Sequence, residues 1–331
     1  MKTRCAVLDP DRYHGHGQKP PFFEGWYYKL VDAAENVRYA IIPGIFLSDE
    51  PSAEHAFIQV LNGTTGEASY HRYPAPLFWA ARDRFDIRIG PNHFNTQVLE
   101  VAIDDDQLSL HGRIHFSGIK PWPVSLLAPG IMGWYAWVPF METYHGVVSL
   151  DHTLHGTLVA NGQPLSFDGG RGYVEKDWGA SFPAGYVWTQ CNHFETPGTS
   201  LTASAAIIPW LTGAFGGFIA GLRHQGRLYR FATYTGARSE GLEVDDQQVS
   251  WVMGDRYRRL RLTARRERGG LIYGPSRTDM SRRIGETMLA TVEVYLQEWR
   301  QRERLLFRGS GRNAGLEVHG DITRLITMLG S

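Results

Sequence analysis

Three ionisable residues stand in a row, Glu175, Lys176 and Asp177, inside the aromatic stretch RGYVEKDWGASFPAGYVWTQCNHF (171–194). On a strand, Tyr173, Glu175 and Asp177 share one face, and Val174, Lys176 and Trp178 share the other. Residues two apart on a strand are roughly 6.6 Å apart, so the two carboxylates would repel each other beside a phenol. Lys176, on the opposite face, cannot neutralise Glu175 directly. If the Glu175 face is the interior of a barrel, burial and mutual repulsion both raise a carboxyl pKa and leave one group protonated near neutral pH. Such a group in an aromatic pocket is a general acid. A structural reading stands beside it, in which Glu175 and Asp177 cap turns or pair with arginines at a domain junction.

The same alternation applies near the start of the chain. In FFEGWYYKL, Phe22, Glu24, Trp26 and Tyr28 fall on one face, and Phe23, Tyr27 and Lys29 on the other. A glutamate among aromatics needs a partner or a task. An arginine partner is expected first, and proton donation second. In GYVWTQCNHF, the face with Tyr186, Trp188, Gln190 and Asn192 would offer hydrogen bonds beside π-surfaces, with His193 pointing away. That mixture suits a ligand with a hydroxylated ring and a long apolar tail.

The elements that must position these residues are strands. Period-two segments of four to ten residues recur along the whole chain, among them VRYAIIPGIF, LSLHGRIHF, FGGFIAGL, YRRLRLTA and TVEVYL. Turn residues separate them, including the hairpin dipeptides Asn62-Gly63 and Asn161-Gly162. The expected fold is all-β, with antiparallel sheets closed or nearly closed into barrels. There are more strands than one barrel of roughly eight can hold, so two barrels packed together are expected, with few short helices. Asp168-Gly169-Gly170 is the expected division, giving an N-terminal barrel over 1–168 and a C-terminal barrel over 169–331. A short helix is expected over about 279–287.

Composition narrows the partners. Lys plus Arg and Asp plus Glu are equal at 34 each, which leaves no overall field to gather nucleic acid. The seven arginines between Arg256 and Arg268 therefore read as a solvated strand face, with an anionic lipid headgroup the next reading. Two cysteines, Cys5 and Cys191, are too few for a disulfide framework. No apolar run resembling a signal peptide opens the sequence, so a cytoplasmic protein is expected. Two uncharged stretches, 121–140 and 205–222, approach the roughly 20 residues of a membrane helix, but prolines and glycines make both poor helices. The second reads as two strands turning near Leu211-Thr212-Gly213. The first reads as an irregular apolar cover for a pocket or a membrane surface, so peripheral membrane contact is expected at most. His145, His152 and His155 suggest a metal only weakly, because the first two fall on opposite strand faces. No phosphate loop, dinucleotide fingerprint or serine elbow is present, and neither metal nor cofactor is expected.

PFFEGWYYKL, GIMGWYAWVPFMETYHGVVSLDH, GRGYVEKDWGASFPAGYVWTQCNHF, YRFATYTGA and GRNAGLEVHGD, in this order along nearly the whole chain, resemble the tocopherol cyclase family. The resemblance implies a pair of lipocalin-like β-barrels, related in fold to carotenoid 1,2-hydratases, and chemistry that protonates a prenyl double bond without a cofactor. In the plant cyclases a phenol oxygen closes a chromanol ring onto the resulting cation, whereas the hydratases add water. The hydratase motif resembles Gly-Tyr-x-Asp-His-Asn, so its tyrosine and acid match Tyr173 and Glu175, and its asparagine falls at Asp177. Glu175 is then the expected acid, tuned by Asp177 and Tyr173, with Glu24 a further candidate. Trp26, Tyr28, Trp178, Tyr186, Trp188, Gln190 and Asn192 would bind a small apolar or prenylated substrate and shield its cation. A non-catalytic carrier of an apolar metabolite requires the same pocket walls and stands as the alternative, as does hydratase-like water addition.

Overall fold

The computed structural model describes residues 6–299 and 304–330; Cys5 lies outside them. The chain is all-β, in two large antiparallel sheets. The first contains β1 (Phe22–Val31), β2 (Arg38–Leu47), β3 (His55–Asn62), β4 (Ala68–Tyr73), β5 (Phe78–Ala80), β6 (Asp86–Ile89), β7 (Asn92–Asn95), β8 (Val98–Asp104), β9 (Ser109–Ser117), β10 (Thr143–Ala160), β11 (Gln163–Ser166) and β12 (Arg171–Gly179). Its hydrogen-bonded order is β4-β3-β2-β1-β12-β10-β9-β8-β7-β6-β5, with β11 paired to β10.

This sheet curls around its own core. Tyr28 of β1 stacks on Phe116 of β9 at 5.8 Å and lies 5.9 Å from Phe94 of β7, although β7 is five places from β1 in the strand order. Strands so far apart can touch only if the sheet bends into a barrel. Near its ends the barrel is joined through side chains, with Asn92 of β7 donating to the Tyr73 hydroxyl of β4 at 3.4 Å. The Asn161-Gly162 hairpin behaves as its dipeptide demands: both residues have positive φ, 48° and 78°, the twist a two-residue turn needs.

The second sheet contains β13 (Gly185–Cys191), β14 (His193–Phe194), β15 (Ser200–Trp210), β16 (Gly213–His224), β17 (Arg227–Ala232), β18 (Arg238–Val244), β19 (Gln248–Gly254), β20 (Arg258–Arg265), β21 (Gly270–Gly274), β22 (Arg282–Glu298) and β23 (Arg304–Gly320). It curls in the same way: Phe218 of β16 meets Trp251 of β19 edge to face at 5.6 Å. The uncharged stretch 205–222 is the expected hairpin, with Leu211-Thr212 between β15 and β16. On β20, Leu260, Leu262 and Ala264 are buried while Arg261 and Arg265 are exposed, and Arg258 and Arg259 pair with Asp255 and Glu240. The arginine run is the outer face of a strand.

Two compact units emerge, one of 1–182 with 271–283 and one of 183–270 with 284–331. The Asp168-Gly169-Gly170 turn connects β11 to β12 within the first unit, which therefore retains the whole Glu175 strand. The helix expected over 279–287 is absent. Residues 279–281 are irregular and β22 begins at Arg282, with Ile284, Met288, Ala290 and Val292 buried along the strand. The well-formed helix is instead Ile322–Leu329, capped by Asp321, whose side chain accepts from the Arg324 amide. Its signal was in the sequence: an Asp cap followed by apolar residues at 322, 325, 326 and 329. Among the described residues no helix is long and apolar enough to cross a membrane.

Candidate functional site

β12 lies between β1 and β10, and its two faces carry two different polar clusters. On the core-facing side, Val174 and Trp178 pack in the barrel interior, and Lys176 points the same way with no exposure. Its ammonium pairs with Glu24 of β1, which is also fully buried. The partner expected to be an arginine is thus a lysine, brought from 152 residues away by the β1–β12 register that sets Trp26 against Lys176 and Glu24 against Trp178.

The three donors of Lys176 face four acceptors: Glu24 Oε1, the Arg12 carbonyl at 2.6 Å, His14 Nδ1 at 3.1 Å and, at 3.5 Å, the Asp11 carbonyl. His14 Nε2 lies 3.3 Å from the Ala6 carbonyl, which can only accept, so in the neutral ring Nδ1 accepts a hydrogen bond from Lys176; the same nitrogen lies 3.3 Å from Glu24 Oε1. The His14 amide donates to Glu24 Oε2 at 2.8 Å. The ammonium also sits 4.6 Å from the Trp26 ring and 4.7 Å from the Trp178 ring, and His14 stacks on Trp178 at 4.2 Å. Burial alone would raise the Glu24 carboxyl, but Lys176 and His14 outweigh it and hold the carboxyl below its usual range. Burial lowers the Lys176 amine and the His14 imidazole. Glu24 therefore has no proton to give, and this cluster is a satisfied ionic plug in the barrel core.

On the other face, Tyr173, Glu175 and Asp177 do stand together, as their alternation requires. That face is turned away from the barrel interior, yet Tyr173 and Glu175 are buried. Tyr173 donates to Glu175 Oε2 at 2.5 Å. The like-charge repulsion expected between Glu175 and Asp177 is answered by His145 of β10. Its Nδ1 bonds Asp177 Oδ1 at 2.9 Å, and its Nε2 lies 3.6 Å from Glu175 Oε2. Desolvation would lower the imidazole pKa, but Asp177 and Glu175 together raise it to about 9, so His145 is an imidazolium at neutral pH. Nε2 is buried with no hydrogen-bond partner among the described residues.

His145 entered the sequence reading only as a metal candidate. The residue that makes it part of this site is Asp177, its direct partner in the β10–β12 register, and no local pattern reveals a pairing across 32 residues. His152 points into the core beside Phe116, where burial drives its pKa down to about 3, and His155 bonds Ser117 at 2.8 Å. The three histidines do not assemble. Tyr27 and the buried Lys29, opposite Glu175 and Tyr173 in the β1 ladder, also share this face and were missed. His145, Glu175 and Asp177 bring ligand atoms within 4.8 Å of one another. In this arrangement the ring turns Nδ1 to Asp177 and Nε2 toward Glu175, and His145 thus bridges the two carboxylates.

The aromatic residues expected to bind substrate divide between the two units. Trp26 and Trp178 enclose Lys176, and Tyr28 donates to the Asn95 carbonyl at 3.0 Å in the core. None of these three is on the Glu175 face. In the second unit, Val187 and Cys191 fill the core, which leaves Tyr186, Trp188 and Gln190 on the opposite face of β13, all buried. Tyr186 donates to Glu317 at 2.6 Å. Gln190 bonds the Asn192 side chain at 3.5 Å, and the His193 ring lies 3.1 Å from the same Asn192 oxygen because the chain is irregular between β13 and β14.

A family model described as tocopherol cyclase-like matches residues 113–320, more than half of the chain and all of β10 and β12. The chain belongs to the tocopherol cyclase-like family. It is 24% identical over 289 residues to a "Probable tocopherol cyclase, chloroplastic" of Oryza sativa subsp. japonica, covering 72% of this chain and 62% of the rice protein. It is 24% identical over 295 residues to a "Tocopherol cyclase, chloroplastic" of Zea mays, covering 73% and 60%. The match thus spans about three fifths of the length of these plant cyclases. Two solved structures share the fold: CghA with Sch210972, at a TM-score of 0.57 and 12% identity over 91% of this chain and 89% of that one, and an AttH protein of Nitrosomonas europaea, at 0.55 and 13% over 93% and 94%.

Proposed function

We propose that this tocopherol cyclase-like protein isomerises a prenylated phenol or related isoprenoid by proton transfer from the Tyr173–Glu175–His145–Asp177 cluster. The observation that carries the reading is the buried Nε2 of His145, poised 3.6 Å from Glu175 while Asp177 holds the other ring nitrogen. At neutral pH the imidazolium stores one proton. When an apolar ligand displaces water, the separated charges of His145 and Glu175 become costly, and the neutral pair is favoured. The proton then passes from Nε2 to Glu175, which becomes a carboxylic acid.

Glu175 protonates the prenyl double bond, forming a C–H bond and leaving a tertiary cation. The phenol oxygen attacks that cation, a C–O bond forms, and the phenolic proton returns to His145 Nε2. Atoms and charge balance, and product and substrate have equal mass. Tyr173, donating to Glu175, keeps the acid oriented and favours the carboxylate left after transfer.

The test is incubation of the purified protein with a prenylated hydroquinone, followed by chromatography for a chromanol of unchanged mass. Glu175→Gln, which keeps shape but removes the exchangeable acid, is expected to lower turnover by roughly 10²–10⁴ while the chain remains folded. Turnover no greater than with heat-killed protein would leave the carrier reading in its place, and full turnover by the variant would remove Glu175 as the acid.

A further inference from the structure

Between β9 and β10 the chain runs through an irregular segment in which no residue from Pro121 to Phe140 is charged. Turns in proteins are ordinarily polar. Here the tip of a tight turn, Ser125 to Ala128, presents two leucines to solvent, Leu126 at 64% and Leu127 at 85% exposure. Val124, Trp134 and Phe140 of the same segment are 42%, 45% and 53% exposed.

The tip is built rather than frayed. Ser125 and Ala128 exchange backbone hydrogen bonds in both directions at 3.1 and 3.2 Å, the Ser125 hydroxyl accepts from the Ala128 amide, and the Trp137 indole N–H donates to the Leu126 carbonyl at 3.0 Å. The Ser125 and Ala128 backbone groups and the Leu126 carbonyl are thus paired within the segment, which lowers the cost of bringing the turn toward hydrocarbon.

We infer that this segment is a membrane-docking element that wedges Leu126 and Leu127 into the acyl boundary of a lipid bilayer, with Trp134 and Phe140 at headgroup depth. The exposures of the five side chains sum to on the order of 500 Å² of apolar surface in water, comparable to the largest apolar patch of an ordinary monomer and short of the roughly 800 Å² that each partner contributes to a stable protein complex. A shallow insertion of about 5–10 Å uses such a surface fully. With no charge in the segment, attraction to anionic headgroups contributes nothing, so the docking selects neither lipid charge nor low salt.

The experiment is flotation of the full chain with phosphatidylcholine vesicles, without substrate, at 0.05 and 0.5 M salt, together with Trp fluorescence quenching by bromine-labelled lipid. Binding is expected to be equal at the two salt concentrations. Leu126→Ser with Leu127→Ser in one chain is expected to lower the partition coefficient by about 100-fold, since burying each leucine is worth a tenfold factor or more, while the melting temperature holds because both side chains are already in water. Failure of the unaltered protein to float, or equal flotation of the double variant, overturns the inference. So does binding confined to anionic vesicles at low salt, or a self-association abolished by the double variant, which would make the surface an interface between copies of the chain.

Discussion

Replacing Lys176 with methionine tests the two-faced reading of β12 most directly. Methionine preserves length and apolar bulk but removes the cation. Glu24 then stays fully buried with only His14 beside it, through the amide at 2.8 Å and Nδ1 at 3.3 Å from Oε1, and the Arg12 carbonyl loses its donor. Removing one partner of a buried pair costs roughly 3–5 kcal/mol, and loss of the ammonium between two indoles adds up to about 2 kcal/mol. Urea denaturation at pH 7 should therefore register a deficit of at least about 3 kcal/mol for Lys176→Met, largely recovered when Glu24→Gln is added, because no charge is then stranded.

The pH dependence fixes the sign. In the unaltered protein the Glu24 carboxyl lies below its usual value of 4.5, so it contributes stability above that pH, lost as pH falls through the lowered value. Without Lys176, burial raises the same carboxyl, which then binds its proton more readily folded than unfolded. The deficit of Lys176→Met is thus largest at neutral pH and shrinks toward pH 4. A deficit below about 1 kcal/mol, or one independent of pH, would refute the ionic-plug account, and loss of turnover at full stability would make Lys176 a catalytic group.

Two further outcomes are expected. His145, raised from 6.5 to about 9, stabilises the fold fully below pH 6.5 and loses that contribution as pH rises through 9; the gap corresponds to on the order of 3 kcal/mol. His145→Gln should accordingly be destabilised at pH 6 and match the unaltered protein at pH 10 in denaturant titrations, and an NMR titration should find the imidazole midpoint near 9. Gly172→Ala would place a methyl group 2.3 Å from His152 Nε2 and 2.8 Å from Leu154 Cδ2, and overpacking of this kind should cost about 1–3 kcal/mol, read as a lower urea midpoint.

Alternation along a strand is a local property, and everything that depends on it was legible in the residues. Tyr173, Glu175 and Asp177 share a face, Lys176 lies opposite, Asn161-Gly162 turns a hairpin and β20 turns its arginines outward. The sheets, their antiparallel pairing and the curl into barrels follow from the number and length of such strands. Which face of β12 looks into the barrel was not legible, because both faces are buried and aromatic, so the contrast between wet and dry sides that normally orients a strand is missing. Nor was the choice of partners: Lys176 finds Glu24, and His145 finds Asp177, through registers between strands distant in sequence, set by the packing of the whole sheet. One pairing holds Glu24 as a carboxylate in the core, and the other sets the His145 ring beside Glu175.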